Sequence, residues 1–262
     1  MSVLQLPQST IPSWELGTVA KSPLEARNKE YRQGLQGYWS ASAGGSEGVF
    51  DLSANMNHAL NSGMVWGNSE FGRVITGTYA GTQHMPLLGV TSVGSLPCTI
   101  WAHQQVNADH SHLMCDDNPA LAYGLRQAPN ALQIKASGHG EILSVITDTE
   151  WHQILITVTE AGVVVYYRDG VVLGGDTGMT GTFTIDNLIG SPSGTYAING
   201  QFRACGIWNT IFTPSMIEKL AGDPYAVERK EEYVTVFGAG GAPAGNRTYY
   251  YNLASRQIEE AA

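Results

Sequence analysis

Charge is scarce in this chain of 262 residues: Asp, Glu, Lys and Arg make up 14% of it, against roughly 25% in an average soluble domain. Basic residues are the scarcer sign, 14 against 23 acidic ones, for a net charge of −9. That balance lacks the basic footprint nucleic acid requires and is repelled by an anionic membrane surface, so neither is expected as a partner. No apolar run approaches the ~18 residues of a membrane span. Met1 to Trp14 has neither the charged nor the apolar region of a signal peptide. Cysteine is nearly absent. Cys98, Cys115 and Cys205 are odd in number and have no CxxC spacing, which predicts reduced thiols packed as small hydrophobes rather than a disulfide or zinc framework.

Glycine is abundant, at 31 residues, and has no three-residue period, so the chain is not collagenous. A hydrophobic share of 43% excludes disorder. From about residue 35 to 212 the chain consists of short runs rich in Thr, Val, Ile, Tyr and Trp, cut by Gly, Asn, Asp and Ser. This is the composition of pleated, half-buried surfaces.

The clearest run begins at Trp151. His152, Ile154, Ile156 and Val158 share one face, apolar after its first residue, which is expected to point to a core. Trp151, Gln153, Leu155, Thr157 and Thr159 share the other. Ala161-Gly162 makes a turn, Val163 to Tyr167 returns, and Asp169-Gly170 closes a second hairpin into Val171 to Leu173. Further strands are expected at Val74–Tyr79, Thr99–Val106, Leu121–Arg126, Ala131–Ala136, Glu141–Ile146, Thr182–Ile189 and Tyr196–Trp208. One short helix is predicted. Thr213 caps it, Pro214 opens it, Met216, Ile217 and Leu220 form its apolar stripe, and Gly222 and Pro224 end it. About ten strands with no helical period between them predict an all-β, two-sheet antiparallel sandwich. Residues 1–33 read as an N-terminal arm, 34–222 as the sandwich, and 223–262 as a C-terminal arm for docking or assembly, with strand-like runs at Tyr233–Phe237 and Thr248–Leu253.

Catalytic patterns are sparse. A retaining glycosidase needs two neighbouring carboxylates, but Asp148-Thr149-Glu150 has Ile146 where a third alternating acid would stand. No GxSxG is present. His103, His110 and His112, with Asp109, Asp116 and Asp117, read as a polar loop, although His110 and His112 have the spacing for one side of a metal site. Gly238–Pro243 opens no helix and carries no lysine, so it reads as a linker.

Several segments together resemble a family. Gly34-Leu35-Gln36-Gly37-Tyr38-Trp39, Phe50 to Ala59, Phe71 to Gly77 and Thr99-Ile100-Trp101 occur in one order. Trp151-His152-Gln153-Ile154, Tyr166 to Gly170, and Gly206-Ile207-Trp208-Asn209 with Phe212 to Ser215 follow. This order and spacing resembles the laminin-G-like, concanavalin A-like (jelly-roll) domains of bacterial and bacteriophage proteins, over roughly Gly34 to Tyr225. Trp39, Trp101 and Trp208 have the bulk of core fillers. The resemblance implies calcium ligands in the Phe50–Ala59 loop, where Asp51, Asn55 and Asn57 could supply oxygens. Ala54, Met56 and Ala59 stand where relatives carry glycines, and Arg203-Ala204-Cys205 replaces an acidic pair. The competing reading is that Asp51 and Ser53 hold the loop by hydrogen bonds to backbone.

The resemblance, the Leu220 to Ala226 ending and the two arms together imply a non-catalytic virion component: a capsid decoration, fibre or tail protein assembling with other virion proteins or copies of itself. Tyr249, Tyr250 and Tyr251 are its interface candidates, Tyr being enriched at interfaces. The alternative is a carbohydrate-binding module, with Trp14 and Trp66 as the aromatic candidates outside the inferred core. No cofactor other than calcium is implied.

Overall fold

The structure is a computed structural model that describes residues 29–78, 83–93, 96–106, 111–115, 124–128, 131–136, 139–142, 149–179, 183–190, 199–229, 233–236, 249–252 and 257–260. A 3-10 turn, Lys29–Tyr31, leads into the strands. In chain order these are β1 (Leu35–Gly45), β2 (Gly48–Asp51), β3 (Ala59–Leu60), β4 (Val65–Ser69), β5 (Gly72–Thr78), β6 (Met85–Val93) and β7 (Cys98–Val106). Then come β8 (Ser111–Cys115), β9 (Gly124–Ala128), β10 (Ala131–Ala136), β11 (His139–Ile142), β12 (Trp151–Val158), β13 (Val164–Arg168), β14 (Val171–Asp176), β15 (Phe183–Leu188) and β16 (Asn199–Trp208). Helix α1 (Pro214–Gly222) follows, then β17 (Tyr233–Val236), β18 (Tyr249–Asn252) and β19 (Gln257–Glu260).

Among the described residues the protein is all-β apart from α1 and the 3-10 turn, and the strand pairs are antiparallel. Hydrogen bonds join the strands in the order β11-β10-β9-β8-β15-β6-β3-β2-β1-β16-β7-β12-β13-β14, with β5 on β16 and β4 on β5. Strands β17, β18 and β19 form a separate three-stranded sheet. The Asp169-Gly170 turn forms as its sequence requires, with φ of +51° and +79°, a backbone shape that Asp and Gly tolerate.

Strands β1, β16, β7 and β12 send alternate residues into two apolar clusters. Trp39, Ile100, Ile154, Ile156, Phe202 and Ile207 pack with Met85, Met114, Ile185 and Leu188 of β6, β8 and β15. Tyr38, Trp101, Leu155 and Trp208 pack on the opposite side with Tyr31, Phe212, Met216, Ile217 and Leu220. The expected core fillers Trp39, Trp101 and Trp208 are fully buried, but in two different cores. The expectation for β12 was one buried face. Both faces are buried from Gln153 to Val158, because α1 lies over the second one.

Helix α1 is built as its sequence predicts. The Met216 N–H donates to Thr213 Oγ1 at 3.3 Å, and Met216, Ile217 and Leu220 are buried. Two long-range bonds dock it. Tyr31 donates its hydroxyl to the Met216 carbonyl at 2.8 Å, and Trp208 Nε1 donates to the Tyr31 carbonyl at 2.6 Å.

Candidate binding surface

On the face shared with α1, cross-strand register arranges the residues of β5, β16, β7 and β12 in rows. Trp208, Thr99 and Thr157 form one, and Gly206, Trp101 and Leu155 the next. Ala204, His103 and Gln153 come third, and Gln201, Gln105 and Trp151 fourth. The fourth row continues through Thr76 of β5 to Val65 of β4. Opposed residues in an antiparallel ladder point to the same side, so these five side chains share one surface.

The first three rows are buried and the fourth is not. Trp151, Gln105, Gln201 and Thr76 are half-buried, and Val65 is exposed. In the third row the buried Gln153 amide has definite partners, as burial demands. Trp101 Nε1 donates to Gln153 Oε1 at 3.1 Å, and Gln153 Nε2 donates to the Ala221 carbonyl at 3.1 Å. The void between this glutamine and α1 is only about 10 Å3.

A bulge between Phe202 and Ala204 places Arg203 on the same face as Ala204. Its side chain is 2% exposed. Nη2 meets Glu228 Oε1 at 2.8 Å, Nη1 donates to the Pro224 carbonyl at 2.9 Å, and the guanidinium lies 3.9 Å from the Tyr225 ring centroid. Tyr38 donates its hydroxyl to the same Glu228 oxygen. Burial works against the Arg203 charge, but Glu228, Tyr38 and Tyr225 together outweigh it and hold the Arg203 pKa above its ordinary value. This cluster clamps the segment after α1 onto the sheet. The Tyr225 hydroxyl donates to the Phe71 carbonyl at 2.7 Å and fixes the rim of the open row.

His103 lies beneath that rim. Sequence reasoning grouped it with His110 and His112 in a loop. It instead occupies β7, 2% exposed, and its ring contacts Phe71 (4.7 Å between centroids) and Trp151 (5.0 Å). The alternation Thr99, Trp101, His103, Gln105 already carried that placement. Burial, then the Arg203 charge, lower its pKa to about 3, so the ring is neutral. Its Nδ1 has no hydrogen-bond partner. His112 falls on β8 and Glu150 just before β12. His110, Asp109, Asp116, Asp117 and Asp148 lie outside the described residues.

At the start of β12, His152 Nδ1 is 2.7 Å from Asp169 Oδ2, and the Gln153 N–H donates to Asp169 Oδ1 at 2.8 Å. Burial alone would raise the Asp169 pKa, but these bonds from His152 and Gln153 hold it below the usual value. The Asp-Gly turn thereby fixes the strand end that presents Trp151.

Asp51 is otherwise engaged. Asp51 Oδ1 accepts the N–H groups of Tyr38 (3.0 Å) and Ser53 (2.8 Å). Oδ2 accepts the Ser53 hydroxyl (2.8 Å) and the Asn57 N–H (2.9 Å). Asn55 Nδ2 donates to the Gln36 carbonyl at 2.6 Å. A carboxylate ringed by four donors is a loop staple, and Asp51 does not fit a cation. Among the described residues no cluster of three or more His, Cys, Asp or Glu side chains could hold a metal.

The aromatic candidates separate. Trp66 pairs in register with Ile75, whose side chain enters the first core, so it stands on the opposite face from the open row. The Arg73 guanidinium lies 4.4 Å from its ring centroid and Arg73 Nη1 donates to the Gly44 carbonyl, which covers the indole. Trp14 lies outside the described residues. Tyr249, Tyr250 and Tyr251 form β18, paired with β17 and β19. Cys98 and Cys205 are buried free thiols, and burial pushes Cys98 up to about 12, so neither is a nucleophile at neutral pH. Sequence reasoning missed the open row, because its members come from strands far apart in the chain.

The fold and this surface define an all-β domain of antiparallel strands with one amide-and-aromatic row left open. No protein-family profile and no curated relative matches the sequence. Solved structures do share the fold. Domain 4 of AbnA, an extracellular GH43 arabinanase of Geobacillus stearothermophilus solved with arabinotriose, aligns at 15% identity and a TM-score of 0.57. The alignment covers 71% of this chain and 98% of that domain. The binding domain of Paraclostridial Mosquitocidal Protein 1 aligns at 12% identity and 0.53, over 87% of this chain and 63% of that one. The Trypanosoma rangeli sialidase aligns at 15% identity and 0.52, over 74% of this chain but 33% of the enzyme.

Proposed function

We propose that this chain is a non-catalytic carbohydrate-binding domain whose ligand lies on the row Val65, Thr76, Gln201, Gln105 and Trp151, and that its main ladder closes into a two-layer jelly-roll sandwich. The observation that carries the functional reading is the row itself. Amide and hydroxyl groups stand in line beside a half-buried indole, with Phe71 and Tyr225 at the rim. Sugars offer hydroxyl edges to amides and apolar C–H faces to aromatic rings. Two of the fold neighbours support the reading, one solved with a bound arabinotriose and one described as a binding domain. Among the described carboxylates, Asp51, Asp169, Asp223 and Glu228 each hold a structural partner.

The test is calorimetric titration with neutral oligosaccharides against the native chain and a Trp151→Ala variant. Binding that is lost in the variant, with the fold intact by circular dichroism, supports the proposal. Equal binding by both proteins overturns the site, and no binding by either overturns the function.

A second reading, assembly into a larger particle such as a bacteriophage virion, is favoured by the separate sheet β17–β19. Its strands pair with one another and with no other described strand. Under this reading Tyr249→Ser/Tyr251→Ser lowers the mass of the full chain in light scattering. An unchanged mass refutes it.

A further inference from the structure

Resting on the carbohydrate reading, we infer that the row takes a linear, uncharged glycan laid across the strands, with about one sugar per strand, and rejects acidic sugars. Geometry gives the first part. Val65, Thr76, Gln201, Gln105 and Trp151 come from five neighbouring strands and are joined by direct register. Neighbouring strands lie ~4.8 Å apart, so the row runs about 19 Å. The interval is close to one pyranose repeat of an extended chain. The row is therefore a line of evenly spaced contacts rather than a pocket for one sugar.

The row is also held in place. Gln105 Nε2 donates to the Thr149 carbonyl at 2.6 Å, which fixes this amide before any ligand arrives. Gln201 sits two residues from the Arg203 bulge, where the strand is clamped through Pro224 and Glu228. Trp151 is braced by Phe71, with 5.4 Å between ring centroids. Fixed contacts lose little entropy on binding, which favours a weak but additive chain of interactions.

Charge gives the second part. Among the described strands β4, β5, β7, β12 and β16, the Lys and Arg residues are Arg73 and Arg203. Arg73 is stacked on Trp66 on the other face. Arg203 is buried under Tyr225 and neutralised by Glu228. His103 is buried and neutral, and the His152 ring is engaged by Asp169. Glu70 and Glu150 stand exposed beside Phe71 and Trp151. Among the described residues of these strands, a uronate or sialate on this row would meet no available cation. Charge mismatch of this kind is how a site rejects an unwanted relative of its ligand.

The experiment titrates the full chain with cello-, manno- and arabino-oligosaccharides of one to five units, and with oligogalacturonides of the same lengths. In at least one neutral series affinity should rise with each added unit up to about five. Gln105→Ala and Gln201→Ala should each weaken the longest chain roughly fivefold, the worth of one net hydrogen bond, and leave the monosaccharide almost unchanged. Oligogalacturonides should bind at least ~10-fold more weakly than the best neutral chain of equal length, and Gln201→Lys should narrow that gap at low salt. A neutral monosaccharide bound as tightly as its pentamer overturns the row and leaves carbohydrate binding standing. Acidic chains bound as tightly as neutral ones overturn the charge selection alone. If no sugar binds, this inference and the carbohydrate reading fall together.

Discussion

Acid should destabilise this fold well above the pH at which carboxylates protonate, and one residue, His103, should account for it. The ring is enclosed by Phe71, Trp151 and Trp101 and lies near the buried Arg203. In the folded chain burial keeps it neutral down to about pH 3, whereas the unfolded chain takes up the proton at the ordinary 6.5. Between those values the unfolded state binds more protons, so stability falls as pH falls, and below about pH 3 the loss stops growing. Each pH unit in the window is worth about 1.4 kcal/mol. Lowering the pH from 7.5 to 5.0 therefore removes about 2 kcal/mol, a large share of the 5–15 kcal/mol typical of a native domain. The assay is urea unfolding of the native chain and a His103→Gln variant at both pH values. Glutamine does not titrate, so the variant has its own stability at pH 7.5 but loses about 2 kcal/mol less on acidification. Every other titration is common to both proteins and cancels in the comparison. Parallel losses in the two proteins would refute the reasoning and mean that His103 is solvated or paired in solution.

Removing Glu228 by Glu228→Ala should cost about 3–5 kcal/mol in urea unfolding, because it strands the buried Arg203 guanidinium. Arg203→Met combined with Glu228→Leu should cost clearly less than the sum of the single changes, since the two groups are one interaction. Gly206→Ala should cost about 1–3 kcal/mol, because a Cβ there falls against Trp208 Cη2 and Tyr38 Cδ2, neither of which has room to move. Asp51→Ala should destabilise by several kcal/mol through the four donors it leaves unmet. Calcium should leave the thermal midpoint of the native chain unchanged, and a rise in that midpoint on adding the ion would contradict the staple role of Asp51.

How much could be read in advance depended on how local the determinant was. The β12–β13–β14 meander and helix α1 were legible because alternation, an Asp-Gly turn and a Thr-Pro cap act within a few residues. Strand β6 was not. Pro86 interrupts its pattern, and it is tolerated where the pairing with β15 slips register between Ile185 and Asn187. The second core was hidden for another reason. Gln153 reads as a surface residue, yet its amide is matched by Trp101, 52 positions away, and by Ala221, 68 positions away. Arg203 posed the same difficulty. Where an acidic pair was expected, the bulge turns it onto the sheet face and its partner is Glu228, beyond the helix. Trp66 and Trp14 are the aromatic residues that the sequence leaves outside the inferred core. Composition alone does not reveal that Arg73 covers one of them, or that Trp151 stands at the end of an open row.

The position of that row follows from where the cover ends. Along one face of β7 the side chains run Thr99, Trp101, His103, Gln105, and along β12 they run Thr157, Leu155, Gln153, Trp151. In both, all but the last are buried. Helix α1 has nine residues, about 13 Å of cover. Met216, Ile217 and Leu220 belong to the same cluster as Trp101, Leu155 and Trp208. The chain then turns at Asp223, and Pro224, Tyr225 and Glu228 shelter Arg203. Nothing described continues the cover to Gln105 and Gln201. The sequence matches this limit: large apolar groups lie under the helix, a neutral imidazole and a paired guanidinium lie at its margin, and amides lie just beyond it. A sheet face with only a structural duty could carry short charged residues there, as solvated faces commonly do. Two glutamines, a threonine and a tryptophan form an uncharged row with hydrogen-bonding capacity and one apolar ring, chemistry suited to a sugar and of little use for solubility.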